Sequence, residues 1–350
     1  MQFAGRSIAL ADLPALSGAP VVRGLYRESV NDFVVEEDLG FTPEGTGSHA
    51  WLWVEKVGLS TDEAANRLAN RFGISRKEVG YAGKKDTHAR TRQWFSLPAQ
   101  PGMAEGALDP ALTILEVTAN ARKLKIGQLA GNRFQLRLTL ETQDSLDARL
   151  SLMQTQGIAN YFGPQRFGRQ GQNLSDARRL CARDPAGRRR LHPKDGMAAS
   201  AARSAAFNAI VAARYEAGLG LSVEPNDVVI FTGSGSQFAA GAADLEDVEA
   251  RIASGELSPT APMPGRASQT GAQQAAFERA ILEQDPLTAW MDGVFASEER
   301  RAVRVIPKQL VWTQMGTTLE LSFWLPRGSF ATAVLHELGT FSESHARTTS

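Results

Sequence analysis

The sequence predicts an α+β protein in which one domain is interrupted by another. Strand-like patterns dominate the residues before Asp144, helical patterns follow, and strand-like patterns return after residue 308. Strands, then helices, then strands are typical of an α+β domain that carries an insertion. The length of 350 residues also favours two domains, because single hydrophobic cores stop growing at roughly 250–300 residues.

Strands are predicted where apolar and polar residues alternate or where aromatic and β-branched residues cluster. These segments are 32–37, 50–54, 79–83, 93–97 and 133–140. In the last of them the even-numbered residues are all apolar and the odd-numbered ones are polar or basic. This alternation predicts a half-buried strand with a basic outer face.

Helices are predicted where apolar residues recur at spacings of three or four. Ser60 and Glu63 make a capping box before a short helix that ends near Gly73. Further elements are helices at 146–157, 175–183, 198–217, 272–284 and from Ser329 onward, a Gly- and Pro-rich break at 260–265, and strands at 309–313 and 318–325.

The composition is that of a globular protein, with 43% hydrophobic and 22% charged residues. A single cysteine, Cys181, excludes an internal disulfide and indicates a reducing, cytosolic setting. The N-terminal residues lack the continuous apolar run of a signal peptide, and no segment approaches the ~20 apolar residues that span a bilayer. We therefore expect a cytoplasmic protein without a membrane segment.

Basic residues are clustered, although 38 Lys or Arg balance 38 Asp or Glu. One cluster lies in 162–194 and includes Arg188, Arg189 and Arg190, a second lies in 117–140, and a third surrounds Asp86. Each cluster alone is compatible with a solvated surface or, for 188–190, a loop that keeps the chain soluble. Together they favour a nucleic acid as partner.

Several chemistries lack their motifs. The chain contains neither the HxE and CxxC pair of zinc deaminases, nor HExxH, nor a P-loop. Ser–His–Asp catalysis stays open with five histidines, but no GxSxG elbow marks a nucleophile. We expect no metal, no nucleotide and no other cofactor.

Asp86 is the candidate catalytic carboxylate of this chain. It lies in the stretch GYAGKKDTHARTRQW, residues 80–94, among Lys84, Lys85, Arg90 and Arg92. A carboxylate beside cations stays ionised and can act as a nucleophile or a base, while the cations attract phosphates. The alternative is a surface turn in which Asp86 merely pairs with Lys85.

This stretch resembles the signature of the TruD family of tRNA pseudouridine synthases, which isomerise uridine at position 13 of tRNA. The resemblance extends along the chain in family order. It is carried by Ala82-Gly83-x-Lys85-Asp86-x-x-Ala89-x-Thr91-x-Gln93, Asp32-Phe33-x-Val35-x-Glu37, Gly131-Asn132-x-Phe134, Asn160-Tyr-Phe-Gly-x-Gln-Arg-Phe-Gly168, Ser200-Ala-Ala-Arg-Ser204 with Phe207-Asn208, and Phe323-Trp-Leu-Pro-x-Gly-Ser-Phe-Ala-Thr332.

The resemblance implies roles for individual residues. Asp86 matches the catalytic aspartate, and Arg27 the basic residue that pairs with it. The other implied substrate-binding positions are Phe33 and Phe134 in the uracil pocket, Asn132 beside the aspartate or the nucleotide, and Lys85 within the motif. Each has a plainer alternative, since both phenylalanines fit a strand core and Asn132 fits a turn. Basic residues that vary around the motif, Lys84, Arg90 and Arg92, are candidate phosphate contacts.

The resemblance also implies the fold and the partner. It implies a pseudouridine synthase-like catalytic domain with a mixed, mainly antiparallel sheet in residues 1–156 and 309–350, interrupted by a family-specific α/β insertion, the TRUD domain, in 157–308. The partner would be tRNA, whose uridine is flipped into the site, and we expect a monomer that needs no cofactor.

Two other functions remain open at this stage. The chain could be an RNA-binding, tRNA-folding protein whose catalysis is dispensable. It could also be a retaining hydrolase that uses Asp86 and Glu37 as paired carboxylates and releases free uracil. The aromatic residues of the 160–168 motif, Tyr161, Phe162 and Phe167, could contact RNA, but we favour a hinge core for them.

Overall fold

The computed structural model describes residues 1–266 and 272–344 of the chain. These residues form two compact units. The sheet unit contains Val22–Ser145, Lys308–Gly328 and the residues from Phe341 on, and the helical unit contains Met1–Val21, Leu146–Pro307 and Ser329–Thr340.

Strands and helices are numbered in chain order. The strands are β1 Gln2–Phe3, β2 Arg6–Ser7, β3 Val22–Tyr26, β4 Phe33–Asp38, β5 His49–Val57, β6 Gly80–Tyr81, β7 Arg90–Pro98, β8 Gly106–Asp109, β9 Leu112–Asn120, β10 Gly131–Leu140, β11 Ile158–Ala159, β12 Val228–Phe231, β13 Gln237–Ala239, β14 Leu257–Met263, β15 Glu299–Ala302, β16 Arg304–Val305, β17 Lys308–Met315, β18 Thr318–Pro326 and β19 Gly339–Glu343. The helices are α1 Thr61–Arg71, α2 Asp147–Gln156, α3 Pro164–Phe167, α4 Gln172–Arg183, α5 Gly196–Glu216, α6 Leu245–Ala253, α7 Ala272–Leu282, α8 Leu287–Val294 and α9 Ala331–Leu338.

An eleven-stranded sheet organises the sheet unit. Its main path runs β17-β18-β10-β4-β7-β5-β9-β8, with β3 on β10, β19 on β3, and β6 on β7. Strands β4 and β7 are parallel, whereas the other pairs with a defined register are antiparallel. The predicted α+β class with a mixed, mainly antiparallel sheet is therefore confirmed.

The predicted alternation of β10 is confirmed and defines the two faces of the sheet. Phe134, Leu136, Leu138 and Leu140 are buried, and the residues between them are exposed. Helix α1 covers part of the buried face, where its Leu68 packs with apolar residues of β5 and β7. As predicted, this helix begins after Ser60, whose Oγ accepts a hydrogen bond from the Glu63 amide at 3.1 Å.

Helix α5 is the centre of the helical unit. It is 21 residues long, and small alanine side chains let it be buried on nearly all sides. Its neighbours include α4, α7, α8 and strand β14. Tyr161, Phe162 and Phe167 lie in this core with at most 3% exposure. Their burial agrees with the core part of the hinge-core prediction and not with an RNA-contacting surface, and the hinge stays a prediction.

The predicted break at 260–265 is wrong for its first half. Strand β14 continues to Met263 and is almost fully buried between β12 and β15. Proline lacks an N–H but keeps its carbonyl, so it is tolerated where the strand amide is not needed. The carbonyl of Pro259 accepts a hydrogen bond from the Val303 amide at 3.0 Å.

The two compact units differ from the predicted domain boundaries. Residues 1–21 and 329–340 belong to the helical unit, and so does α2. The physical reason is apolar packing, because Phe3, Ile8 and Leu13 share a buried core with Phe207 of α5. The chain does pass from the sheet unit into the helical unit and back, at residues 145–146 and 307–308.

Within 1–266 and 272–344, every helix is too short or too polar to cross a membrane.

Candidate active site

The parallel pairing of β4 with β7 explains why two distant segments meet. Val34 lies opposite Arg90, so the chain segments that enter the two strands lie at the same end of the sheet. Asp86 lies just before β7, and Arg27 lies between β3 and β4. The Arg27 Nη2 atom donates to Asp86 Oδ2 at 2.6 Å, across 59 residues of sequence.

Arg27 is held firmly in this position. Its side chain is only 5% exposed, its guanidinium carbon lies 4.0 Å from the centre of the Phe33 ring, and its Nη1 donates to Glu343 Oε1 at 2.7 Å. Its backbone is left-handed, with φ of +59°. A non-glycine residue adopts this conformation at a cost of about 1–3 kcal/mol, and such strain is concentrated at functional sites.

Three of the predicted site residues lie on one face of the sheet. Phe33 starts β4, while Asn132 and Phe134 follow the same parity in β10. The Phe33 and Phe134 ring centres are 6.3 Å apart, and Phe134 stacks on Phe323 of β18 at 5.3 Å. Glu37 belongs to the same face. The rings of Phe33, Phe134 and Phe323, on the neighbouring strands β4, β10 and β18, therefore form an aromatic floor beside Arg27.

Asn132 offers a polar atom on this face. It pairs in register with Glu37 on one side and Leu325 on the other. Its side-chain Oδ1 is buried and accepts no hydrogen bond from the residues that the structure describes. A buried acceptor without a protein partner needs an explanation, and a bound ligand can supply one.

Lys85 differs from the role implied for it. Its Nζ lies 2.6 Å from Glu37 Oε1, and the two side chains are 5% and 0% exposed. Glu37 also accepts from the Trp94 amide at 3.1 Å. Burial raises the pKa of Glu37, and Lys85 opposes that rise. This geometry favours a positioning role for Lys85, because its ammonium group is paired with a buried carboxylate of the protein.

The loop that carries Asp86 is fixed by a relay of polar side chains. Gln93 donates to the Gly83 carbonyl at 3.0 Å, and its Oε1 accepts from Thr61 Oγ1 at 2.9 Å. Thr61 Oγ1 in turn accepts from the Lys85 amide at 2.8 Å. Thr61 and Gln93 are both fully buried, at 2% and 0% exposure. Helix α1 and strand β7 therefore define the path of the loop.

The variable basic residues of the motif are engaged by acids. Lys84 pairs with Asp62 at 2.8 Å, Arg90 pairs with Glu55, and Arg92 bridges Glu36 and Glu55. Lys84 and Asp62 shift each other's pKa as an ion pair should, up for Lys84 and down for Asp62. Their candidacy as phosphate contacts is weakened, because phosphate would have to displace these carboxylates.

The basic residues of β10 lie on the other face of the sheet. Arg133 donates to Gln309 at 2.8 Å, and Arg137 lies 3.9 Å from Glu320. Their parity is opposite to that of Phe134. The predicted basic outer face exists, but it points away from Asp86.

Two residues at the site were missed from sequence. Lys56 of β5 is fully buried and donates to the Asp86 carbonyl at 2.8 Å. The sequence held one indication of this burial: Leu52, Val54 and Lys56 are spaced by two, so they lie on the same, buried side of the strand. Glu343 had no signal, because its contact with Arg27 spans 316 residues. Burial and the hydrogen bond to Glu343 raise the pKa of Tyr26.

No metal site was recognised. In the described part of the chain, no three His, Cys, Asp or Glu side chains are grouped as a metal would require.

The chain is similar to known proteins along nearly its whole length. The family model for tRNA pseudouridine synthase D (TruD) matches residues 15–184 and 192–338. The tRNA pseudouridine synthase D of Aeromonas hydrophila is 43% identical over 341 residues, which cover 94% of each chain. That of Azotobacter vinelandii is 41% identical over 335 residues, which cover 93% of this chain and 94% of the relative.

A solved structure shares the fold. A crystal structure described as a tRNA pseudouridine synthase D of Methanosarcina mazei superposes with a TM-score of 0.69 at 20% identity, and the match covers 96% of both chains. At this identity the likeness concerns the fold alone.

Proposed function

We propose that this chain, which belongs to the TruD family of tRNA pseudouridine synthases, isomerises uridine 13 of tRNA to pseudouridine with Asp86 as the catalytic residue. The single observation that supports this best is the Asp86–Arg27 ion pair of 2.6 Å at the edge of an aromatic floor. An ionised carboxylate, a cation that fixes it and an apolar surface for a flipped base are the groups that the reaction needs.

The reaction begins at the ribose. The Asp86 carboxylate either attacks C1′, forming a C–O bond as the C1′–N1 bond breaks, or removes the proton from C2′. Uracil leaves with the electron pair of the glycosidic bond, turns, and bonds to C1′ through C5. As the C1′–C5 bond forms, the Asp86–C1′ bond breaks in the first route, whereas in the second route Asp86 returns its proton to C2′. The proton on C5 is then removed and N1 takes up a proton, so Asp86 ends as a free carboxylate. No oxidant, reductant or metal enters this sequence of steps.

Arg27 has two tasks in this proposal. It places an opposite charge 2.6 Å from the Asp86 carboxylate. It also fixes the direction of the carboxylate, which matters because misplacement by 1 Å can cost roughly 10²-fold in rate. Its own position depends on Phe33, Glu343 and a strained backbone.

The floor and Asn132 are proposed to receive the base. Flipping a uridine out of a folded RNA costs a few kcal/mol, which contacts with the base and phosphates can offset. Phe134 is 7% exposed, more than Phe33 or Phe323, and we assign the contact with the base to its ring. Asn132 Oδ1 is an acceptor that could take an N–H of uracil. Phe33 is 2% exposed and covered by Arg27, so we assign it to the support of that arginine.

The two rival functions fit less well. A retaining hydrolase needs a second carboxylate that reaches the substrate, whereas the Glu37 side chain is fully buried against Lys85. A pure RNA-binding protein has no use for an ionised carboxylate held in place by an arginine. Action in the cytoplasm, without a cofactor and as a monomer, stays a prediction.

The test is pseudouridine formation on unmodified tRNA by the purified chain, without added metal or nucleotide, followed by mapping of the modified position. We expect product at position 13 with the wild type and none with Asp86→Asn, while both proteins bind tRNA. Asp62→Asn is the matched control, because Asp62 is half exposed and pairs with Lys84 and Arg76 on the protein surface. Equal activity of wild type and Asp86→Asn would refute the proposal, and release of free uracil would favour the hydrolase.

A further inference from the structure

Lys56 is a buried lysine beneath the Asp86 loop. It lies near the end of β5 and is 0% exposed. Its Nζ donates to two main-chain carbonyls, that of Leu59 at 2.5 Å and that of Asp86 at 2.8 Å. One ammonium group therefore ties the strand end, the entry to helix α1 and the peptide of Asp86 together.

We propose that Lys56 is a positioning residue for catalysis: it fixes the Asp86 peptide so that the carboxylate is presented from a fixed backbone. This inference rests on the proposed role of Asp86 in pseudouridine formation. Lys56 itself touches neither substrate nor reacting atoms in this proposal.

The geometry shows why two anchors are needed. Arg27 holds the Asp86 carboxylate at Oδ2, and Lys56 holds the carbonyl of the same residue. The two contacts act on opposite ends of Asp86, one on the side chain and one on the main chain. Arg27 alone would let the carboxylate move with the loop, whereas both contacts together restrict the direction of the Cα–Cβ bond.

Thr61 and Gln93 fix the loop before Asp86 but not Asp86 itself. Their hydrogen bonds end at Gly83 and at the Lys85 amide. After Asp86, the chain continues with Thr87 and His88, and the Ala89 carbonyl then accepts a hydrogen bond from the Gly58 amide at 3.2 Å. Lys56 therefore holds the residue between these two sets of contacts.

The cost of burying Lys56 argues for a function. Residues of the same parity in β5, Leu52 and Val54, are apolar and fully buried. An ammonium in this setting is disfavoured, and burial lowers the pKa of Lys56 to about 8. Two charged groups face it: Asp86 favours its charged form, and Lys85 disfavours it. A methionine would fill the same space without this penalty.

Burial also determines which kinetic constant should change. Because Lys56 has no exposed surface, it cannot contact RNA directly, and its loss should leave tRNA affinity unaltered. Its effect must pass through Asp86, whose position matters in the transition state. An interaction that is used only there affects kcat rather than KM.

The test compares Lys56→Met, Lys56→Gln and Lys77→Met with the wild type and Asp86→Asn in pseudouridine formation on tRNA. We expect kcat to fall roughly 10- to 100-fold in Lys56→Met, with KM and the tRNA dissociation constant within twofold of wild type. Lys77→Met is the control, because Lys77 lies on the exposed surface shortly before the same loop. It should retain wild-type kcat.

Lys56→Gln keeps a polar donor at the site and guards against loss of folding in Lys56→Met. Glutamine is too short to reach both carbonyls, so kcat should fall in this variant as well. A thermal unfolding midpoint near that of wild type, together with lower kcat, separates positioning from a merely structural role. Wild-type kcat in whichever variant folds would overturn the inference, as would an increase in KM without a change in kcat. An inactive wild type would instead refute the proposed function.

Discussion

The two units use buried cations in different ways. In the helical unit, Arg203 donates to the carbonyls of Pro264, Met263 and Ser297, and Arg304 donates to those of Gln156, Ile252 and Leu257. These carbonyls lie at the ends of different elements. In the sheet unit, Arg27 and Lys56 both contact Asp86, and Lys85 of the same loop pairs with Glu37.

The buried cations of the helical unit form a framework that supports the fold, whereas those of the sheet unit surround one candidate site. A guanidinium that joins scattered carbonyls satisfies main-chain groups that would otherwise be buried without partners. Cations that converge on one loop fix a single residue. We therefore expect loss of a framework cation to lower stability, and loss of a site cation to lower the rate of the reaction.

The largest effect should come from Arg27→Met. It leaves Asp86 without its arginine and removes the guanidinium from Phe33, so the rate of pseudouridine formation should fall about a thousandfold, since truncation of one partner of a charge pair costs about 2–5 kcal/mol. Arg23→Met on the exposed side of β3 is the control. Single-turnover kinetics on tRNA measure the change, and a rate within tenfold of wild type would break the assignment of Arg27 to the site.

The next effect should be on the stability of the helical unit. Arg203→Met leaves three carbonyl groups without their donor and loses the contact of the guanidinium with Phe295 at 4.1 Å. We expect a loss of about 3 kcal/mol in the free energy of unfolding, measured by urea denaturation. Arg179→Met is the control, because Arg179 is 64% exposed. A fall in kcat at wild-type stability would contradict the comparison.

A smaller effect should appear in the pH dependence of stability. The folded pKa of Lys56, about 8, lies below the unfolded value of about 10.4. Between these values the unfolded chain binds more protons, so the free energy of unfolding rises with pH, by on the order of 1 kcal/mol per unit. Lys56→Met should lack this rise between pH 8 and 10. Denaturation at several pH values checks it, and identical curves would show that Lys56 does not titrate in this range.

The smallest effect is expected at the exposed loop of the helical unit. Arg188, Arg189 and Arg190 are exposed and form no ion pair within the described residues. If they contact phosphates, replacing all three with alanine should weaken tRNA binding and flatten its salt dependence, by about 0.7–0.9 in the log–log slope for each phosphate lost. Binding measured at several salt concentrations decides this. An unchanged slope would leave the loop a solvated surface.

The sequence predicted what depends on local pattern. The alternation of β10, the capped helix α1 and the Asp86 motif were all evident within about ten residues. Lys56 was missed, although its parity in β5 was visible, because nothing local shows that the Asp86 carbonyl lies beside it. Strand β14 was missed because its prolines are typical of a break, and only its neighbours β12 and β15 make it a strand.

Packing between distant segments could not be predicted from the sequence either. No pattern in residues 1–21 indicates that Phe3 and Ile8 pack with α5, nearly 200 residues further along the chain. The resemblance to a family named Arg27, Phe33, Asn132 and Phe134 as substrate-binding residues without any knowledge of the fold. It could not show that Lys85 forms an ion pair with Glu37, because that depends on the depth of burial of both side chains.

The contribution of the last strands to the site has a consequence for biosynthesis. Phe323 of β18 stacks on Phe134, and Glu343 holds Arg27, yet both are made after residues 146–307 of the helical unit. Domains form from the N-terminal end as a chain is synthesised, and contacts between distant segments close slowly. A growing chain on the ribosome therefore carries Asp86 long before the residues that complete its surroundings, and the contact of Arg27 with Glu343 forms only after residue 343 has been made.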